Sequence, residues 1–555
     1  MIRPLSLPLL AVACAALLPV EAAAQRVLGP GPEAVTIPRG VLRTTIRVEN
    51  VIHRGRWNDG QAEDLGAGLS IGGLAAPYSS WLEALDNAAT GLGVNGLSAS
   101  LGEIDVDLRQ RLAVSQLGLE VGVTDWLTLS VNAPFVRARA EAQLRLRGDS
   151  GIATAGVNPM GIGSGVAASN RAVVDRYLSA STALLARRAD CQGNAAAHPE
   201  CADILAETAL VDLLSTSATA FGNGLASTYG ANGLSAGLPF VPMAGSPGEQ
   251  ALRFRADSMR IAFERYGVVD LGGGALLPLG AQAPLSAEQL AALVADPRTG
   301  FGAKDLSRQT RQDLGDVDVG LRVRLFDSFA GDSTRRAANR FGLRQTVGLT
   351  YRIGGTFTGL PDDFIDLGTG SGSNAIGLRS YTDLVFNERF WGTVTLGWAR
   401  AEAFDQVMRV PDFPGVEWLE SWRQTSVRVT PGNVLDLRLT PRWVLNDYLQ
   451  LGVDWRWRQR AEDRHELSTT NVTDSTGTAR LLTPAALDAQ SGFSEQRFAW
   501  HLSYSTLQAF SQGKARLPME IGYTHEQSLS SSSGIVPRRW EDRVQLRFYT
   551  RLFGR

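Results

Sequence analysis

Leu117, Leu119, Val121 and Val123 alternate with Gly118, Glu120 and Gly122; after Thr124-Asp125 the alternation resumes with Leu127, Leu129 and Val131 against Thr128 and Ser130. A period of two sends successive side chains to opposite faces of a β-strand. Two such runs across a two-residue turn predict a hairpin with one apolar and one polar face. The unit recurs down the chain. Val317, Val319, Leu321, Val323 and Leu325 alternate with Asp316, Asp318, Gly320, Arg322 and Arg324, and Leu449, Leu451, Val453, Trp455 and Trp457 alternate with Gln450, Asp454, Arg456 and Arg458.

Twelve segments carry the pattern, near 42–49, 104–123, 126–146, 316–325, 343–353, 373–387, 390–402, 435–439, 449–460, 498–504, 517–523 and 540–552. The second loses phase near Ser115-Gln116, which predicts a bulge. The third loses phase at Pro134, after which Val136, Ala138, Ala140, Leu144 and Leu146 take up the apolar face. Links alternate in length. Thr124-Asp125, 329–341, Asn387-Glu388, Asn446-Asp447 and 508–513 are short, whereas 55–103, 147–312, 357–372, 403–429 and 463–494 are mostly longer. Short turns at one end and long loops at the other, with both termini at the short-turn end, describe an outer-membrane barrel. Trp126, Phe390, Trp391 and Trp443 lie near short turns and Trp398, Trp455, Trp457 and Trp540 toward the loops, as two aromatic girdles would. A soluble sandwich would bury these residues in a core. The expected fold is all-β: an antiparallel transmembrane β-barrel of about twelve strands, fourteen if a further pair hides in 55–103 or 147–312.

The stretch 147–312 breaks the alternation. Ala168–Ala189, Asp203–Ala218 and Glu249–Tyr266 have helical apolar spacing, and Ser286-Ala-Glu-Gln289 is a capping box. By parity this long, partly helical insertion leaves the extracellular end of the third strand. A cap is favoured over a plug, because Cys191 and Cys201 bracket a short loop and, in an oxidising compartment, pair as a disulfide. A metal site with His198 falls short of the four ligands of structural zinc.

Met1–Ala24 has the form of a signal peptide: Arg3, an apolar run Leu5–Val20, and Ala22-Ala23-Ala24 before Gln25. A retained anchor helix and a lipid-modified Cys14 are the weaker alternatives; Ala11-Val12-Ala13 is a poor lipobox. No later segment holds ~20 uninterrupted apolar residues. The organisation is then 1–24 signal peptide, 25–146 first strands and outer loop, 147–312 insertion, and 313–555 remaining strands. The 555 residues carry net charge −2, which speaks against a nucleic-acid partner. Lys304 and Lys514 are the only lysines, so arginine supplies nearly all positive charge.

The polar strand faces point the chemistry into the lumen. The candidate solute path is lined by Arg43, Arg47, Arg109, Arg137, Arg139, Arg322, Arg324, Arg438, Arg456, Arg458, Arg543 and Arg547, with Asp316, Asp318, Asp436 and Asp454. Arg551, Asp105, Asp107, Glu141, Asp383 and Glu520 are expected on the same face. Such a set either braces the wall through salt bridges or selects anions. Catalysis finds little support. His501 and Ser503 share an inward face with Arg497, whereas the His-x-Ser pair of outer-membrane phospholipases serves a site open to lipid, and the Asn-Gly that follows their Ser is replaced here by Tyr504-Ser505. Gly368-Thr-Gly-Ser-Gly372 lacks the following helix of a phosphate loop, and Asp362, Asp363 and Asp366 read as solvated loop carboxylates. No cofactor and no metal are expected.

Gly118-Leu-Glu-Val-Gly-Val-Thr-Asp-Trp-Leu-Thr-Leu-Ser-Val-Asn-Ala-Pro134 resembles the hairpin of MetA-pathway phenol-degradation-type outer-membrane proteins, and Asp313-Leu-Gly-Asp-Val-Asp-Val-Gly-Leu-Arg322 is similar to their next strand. The resemblance implies a Gram-negative outer-membrane barrel associated with transport; the insertion and the terminal Gly554-Arg555 depart from it. The expected function is passive passage of small hydrophobic or anionic solutes, with a structural or adhesive barrel whose insertion binds a partner as the alternative. Expected partners are outer-membrane lipid and lipopolysaccharide, the barrel-assembly machinery and a small solute.

Overall fold

In a computed structural model, which describes residues 33–147, 153–161, 164–272, 274–329, 341–355, 360–365, 368–387, 389–489 and 491–553, all twelve alternating segments are strands. They are β1 (Val41–Asn58), β2 (Glu103–Thr124), β3 (Leu127–Arg147), β4 (Val317–Asp327), β5 (Gly342–Ile353), β6 (Ala375–Val385), β7 (Phe390–Ala401), β8 (Val434–Val444), β9 (Leu449–Arg460), β10 (Phe493–Ser505), β11 (Met519–Ser533) and β12 (Ile535–Arg551). Residues 1–24, Asp366, Glu388, Gly554-Arg555 and most of the 329–341 link lie outside the described residues. Each strand pairs antiparallel with its neighbours, and β1 pairs with both β2 and β12, closing a twelve-stranded barrel. Gln61–Glu63 and Gln309–Leu314 extend the sheet to fourteen members without adding to the closed wall.

The register separates the two faces. Leu42, Ile46, Val48, Leu117, Leu119, Leu129 and Val131 point outward, and Val48 and Leu117 keep 52% and 50% of their surface exposed. A soluble protein does not leave so continuous an aliphatic belt in water; the belt is the lipid-facing band of a membrane barrel. Aromatic rings cluster at the short-turn end, with Phe390 5.3 Å from Trp443 and 5.4 Å from Phe386. Toward the loop end the Trp455 and Trp457 indoles donate to Gln496 and Ser494. Trp391 is a correction to the girdle: one residue after the outward Phe390 it must point inward, and it is buried against Val35. Among the described residues no helix is long and apolar enough to cross a membrane.

The wall is uneven. β4–β10 are just long enough to cross, whereas β1, β2, β3, β11 and β12 form a tall side that rises above the belt. The strands there keep their phase. β2 and β3 pair without interruption from Glu103↔Arg147 to Gly122↔Thr128, and the register shifts only between Gly122 and Thr124. No bulge occurs at Ser115-Gln116 and no slip at Pro134. What inverts is the environment. Above the belt the outer face meets water and the inner face meets protein, so Ile104, Val106, Ala138, Ala140 and Ala142 are buried inward. Arg109, Arg137 and Arg139, with Asp105, Asp107 and Glu141, therefore stand on the outer face and not in the lumen. Arg109 pairs with Asp107 and Arg139 with Glu141, each at 2.9 Å and largely exposed.

The buried inner face of the tall side is the floor of a cap. Its helices are α1 (Ser80–Gly91), α2 (Ser164–Gly193), α3 (Cys201–Ala206), α4 (Thr208–Tyr229), α5 (Pro247–Arg265) and α6 (Ala287–Ala295). The helix expected over 203–218 is broken at Glu207 into α3 and α4. Ser286 and Gln289 close the predicted capping box of α6. Cys191 and Cys201 form a disulfide joining α2 to α3. One core lies among α2, α4 and α5 around Tyr177, Phe221 and Phe263. A second joins the 64–102 loop, the inner face of β2–β3, the end of the insertion and Trp418. Loops lock to it: the Arg409 guanidinium donates to the carbonyls of Phe301, Gly302 and Leu419, and Glu420 accepts from the Ser80 amide and hydroxyl at the start of α1. Burial pushes the Glu420 carboxyl above the ordinary carboxylate range, although the Ser80 and Trp422 donors pull the other way.

Candidate functional site: the barrel lumen

At the short-turn end Glu33–Ile37, just before β1, lie within the lumen and narrow it. The backbone of Glu33–Ile37 runs inside the wall, buried throughout. The Ala34 amide donates to both oxygens of Asp383, at 3.2 and 3.3 Å, and the Thr346 hydroxyl donates to the Ala34 carbonyl. The Ile37 amide donates to Thr128 Oγ1 at 2.9 Å, and Thr36 Oγ1 donates to the Asp125 carbonyl at 2.7 Å. Glu33 pairs with Arg43 at 2.5 Å, and Arg43 also holds Glu120. Val35 packs on Trp391. Asp383, Thr346 and Thr128 sit on three strands, so the segment ties distant parts of the wall together.

Above it most of the predicted inward charges neutralise one another. Arg47 pairs with Glu49 at 2.7 Å, Arg543 with Glu49 at 3.1 Å and with Glu541, and Arg547 with Glu520 at 3.5 Å. Arg438 and Thr440 both hold Asp454, Arg456 holds Asp436 at 2.6 Å, and Arg324 lies 3.5 Å from Asp327. Asp318 takes Arg352 at 2.9 Å. Asp316 sits at the rim and accepts from the Gly355 and Ser371 amides, both at 2.8 Å. Removing one member of such a buried pair costs about 3–5 kcal/mol, because a lone charge is left behind. Several of these pairs join neighbouring strands: Arg543 to Glu49, Arg547 to Glu520, Arg438 to Asp454 and Arg456 to Asp436.

Arg322, Arg379 and Arg458 are different. Among the described residues, none of the three has a carboxylate within ion-pair distance. All three line a lumen cavity of about 620 Å³ together with Tyr381, Phe404 and Met408. They also share one ladder row: Arg322 pairs with Gly348, Gly348 with Arg379, Arg379 with Gly397, Gly397 with Asp436, and Asp436 with Arg458. The intervening glycines make the room. A Cβ at Gly348 would lie 3.4 Å from the Tyr381 ring and 3.5 Å from the Arg322 stem, and one at Gly397 would lie 3.5 Å from the Arg379 stem. The Arg322 guanidinium rests 4.8 Å above the Tyr381 ring, and Arg458 lies 5.8 Å from that of Phe493. Guanidinium groups outside salt-bridge distance of a carboxylate, beside aromatic and thioether surface, suit a carboxylate or phosphate on an apolar body.

Sequence reasoning found Arg322 and Arg458 but missed Arg379, Tyr381 and the glycines, whose signal was the inward run Gly320, Gly348, Gly377 and Gly397 on neighbouring strands. It also missed Glu33–Ile37, which is too short to show a period. His501 and Ser503 do face the lumen, but the Ser503 hydroxyl donates to Gln450 at 3.3 Å, and His501 lies 4.0 Å from Asp454. Ser371 of the glycine-rich loop binds Asp316 at the rim.

These features define a membrane-spanning β-barrel with a narrowed, charged lumen under a cap. No protein-family model and no curated protein matches the chain. Among solved structures it is similar to the COG4313 outer membrane channel from Pseudomonas putida F1, at 9% identity and TM-score 0.38 over 94% of this chain and 99% of that one. It is also similar to a Pseudomonas aeruginosa FadL homologue, at 8% identity and TM-score 0.25 over 92% and 90% of the two chains. The Pseudomonas putida toluene transporter TodX is similar at 10% identity and TM-score 0.25 over 93% and 90%.

Proposed function

We propose that this chain is an outer-membrane channel for passive passage of small solutes, and that amphipathic anions engage the row Arg322, Arg379 and Arg458 on their way through. The observation that carries this is three guanidinium groups on one cavity, each outside salt-bridge distance of any described carboxylate, in a lumen where the neighbouring arginines are directly paired. The signal-like start of the chain and the resemblance of Gly118–Pro134 to MetA-pathway phenol-degradation-type proteins support the same reading. The aromatic and thioether lining favours a solute with an apolar body over a bare inorganic anion.

Planar-bilayer recording of the purified full-length protein tests it, with benzoate as the probe. Benzoate is expected to block the chloride current, and R322Q/R379Q/R458Q to weaken that block about tenfold or more, the worth of one charge-assisted contact. A protein that neither conducts nor binds benzoate, or a triple variant blocked as well as the parent, overturns the proposal.

A further inference from the structure

The strands place several arginines outside the barrel, above the apolar belt. Counted from Trp126 at the short turn, the outer face of β3 is apolar through Phe135, and that of β2 is free of charge through Ala113. That length is the ~9–11 residues a tilted strand needs to cross the hydrocarbon. The next outward positions are Arg111 on β2 and Arg137 and Arg139 on β3. Arg111 and Arg139 are direct ladder partners, and Arg137 lies opposite Ala113, one outward position nearer the belt. Like charges directly opposite each other destabilise a sheet pair. Arg139 has Glu141, but Arg111 meets only the Asn50 side-chain carbonyl, at 2.6 Å, and Arg137 makes no polar contact with any described residue. The small Ala113 stands opposite Arg137, and the exposed Phe135 and Leu314, paired with each other, lie one outward position below.

We infer that Arg111, Arg137 and Arg139 bind the phosphate groups of lipopolysaccharide at the edge of the outer leaflet, with the acyl chains lying along Phe135 and Leu314. Height, charge and surroundings agree. The guanidinium forks stand where the hydrocarbon ends, a phosphate among them relieves the Arg111–Arg139 opposition, and the apolar face directly beneath accepts acyl chains. Arginine suits this role because its planar fork makes paired hydrogen bonds to phosphate oxygens. The inference rests on the membrane-spanning placement of the barrel and is independent of what the lumen carries.

The test compares full-length wild type with R111Q/R137Q/R139Q and with R137Q alone, purified in detergent and titrated with lipopolysaccharide, dephosphorylated lipopolysaccharide, phosphatidylglycerol or inorganic phosphate, and read by native mass spectrometry. Wild type is expected to retain lipopolysaccharide. Retention should fall about tenfold or more in the triple variant and to a lesser extent in R137Q, in line with loss of charge-assisted contacts. Heat-dependent gel mobility, unchanged in the variants, shows that the barrel is intact. Equal retention by the triple variant, equal binding of the dephosphorylated form or of phosphatidylglycerol, or displacement by equimolar inorganic phosphate overturns the site. A wild-type chain with no heat shift overturns the membrane placement itself.

Discussion

Asp383 holds three groups at once: the Ala34 amide, the Thr393 hydroxyl at 2.8 Å and the more distant Arg344 guanidinium. Replacing it with alanine releases the segment that narrows the lumen, so D383A should raise single-channel conductance, and an unchanged conductance would show that residues 33–37 do not limit the path. Glu420 makes a prediction of a different kind. Its folded carboxyl titrates above the ordinary range because it is buried. The folded state therefore holds the proton more tightly than the unfolded one, so the stabilisation is complete below the ordinary carboxylate pKa and is lost as pH rises through the elevated value. Docking of α1 should therefore be firmer in mild acid than at alkaline pH. Amide exchange over Ser80–Gly91, corrected for intrinsic rates, reads this, and E420Q should flatten the difference. Arginine facing was legible from local alternation wherever one environment covered the whole strand. Arg379 escaped notice because Gly377, Ser380 and Thr382 blur the pattern of β6.

The β2–β3 ribbon shows where alternation misleads. The sequence switches its apolar residues from odd to even positions at about Ser115 and Pro134, and two explanations fit: a slipped strand or a changed surrounding. Only the packing of 64–102 and 285–306 against the inner face decides, and those contacts are distant in sequence. Single cysteines separate the two explanations in purified protein freed of lipopolysaccharide. R137C should react readily with a membrane-impermeant thiol reagent and A138C should be protected; the reverse order would restore the slip. The segment 33–37 was illegible for another reason, because its burial comes from Asp383, Thr346 and Thr128 and not from its own residues.

For the molecule as a whole, strand count and parity were legible, because turn lengths and aromatic placement repeat around the barrel. The architecture of the cap was not, since its cores draw on four separate loops. Its α2–α5 core is built around Tyr177, Phe221 and Phe263, apart from the wall. C191S/C201S should accordingly loosen α2 and α3 by about 2–3 kcal/mol, the loop-closure worth of so short a disulfide, while the barrel keeps its heat-dependent mobility. Parallel loss of both would mean that cap and wall unfold as one.

Closure itself has a consequence for biogenesis. Val41 lies beside Arg551, so the first strand of the wall finds its second neighbour only when the last has been delivered. Until then the sheet has two raw margins, each a template for wrong partners. A product truncated before Ile535 lacks the seam altogether. Premature termination anywhere upstream should therefore yield no partial pore, only an unclosed sheet.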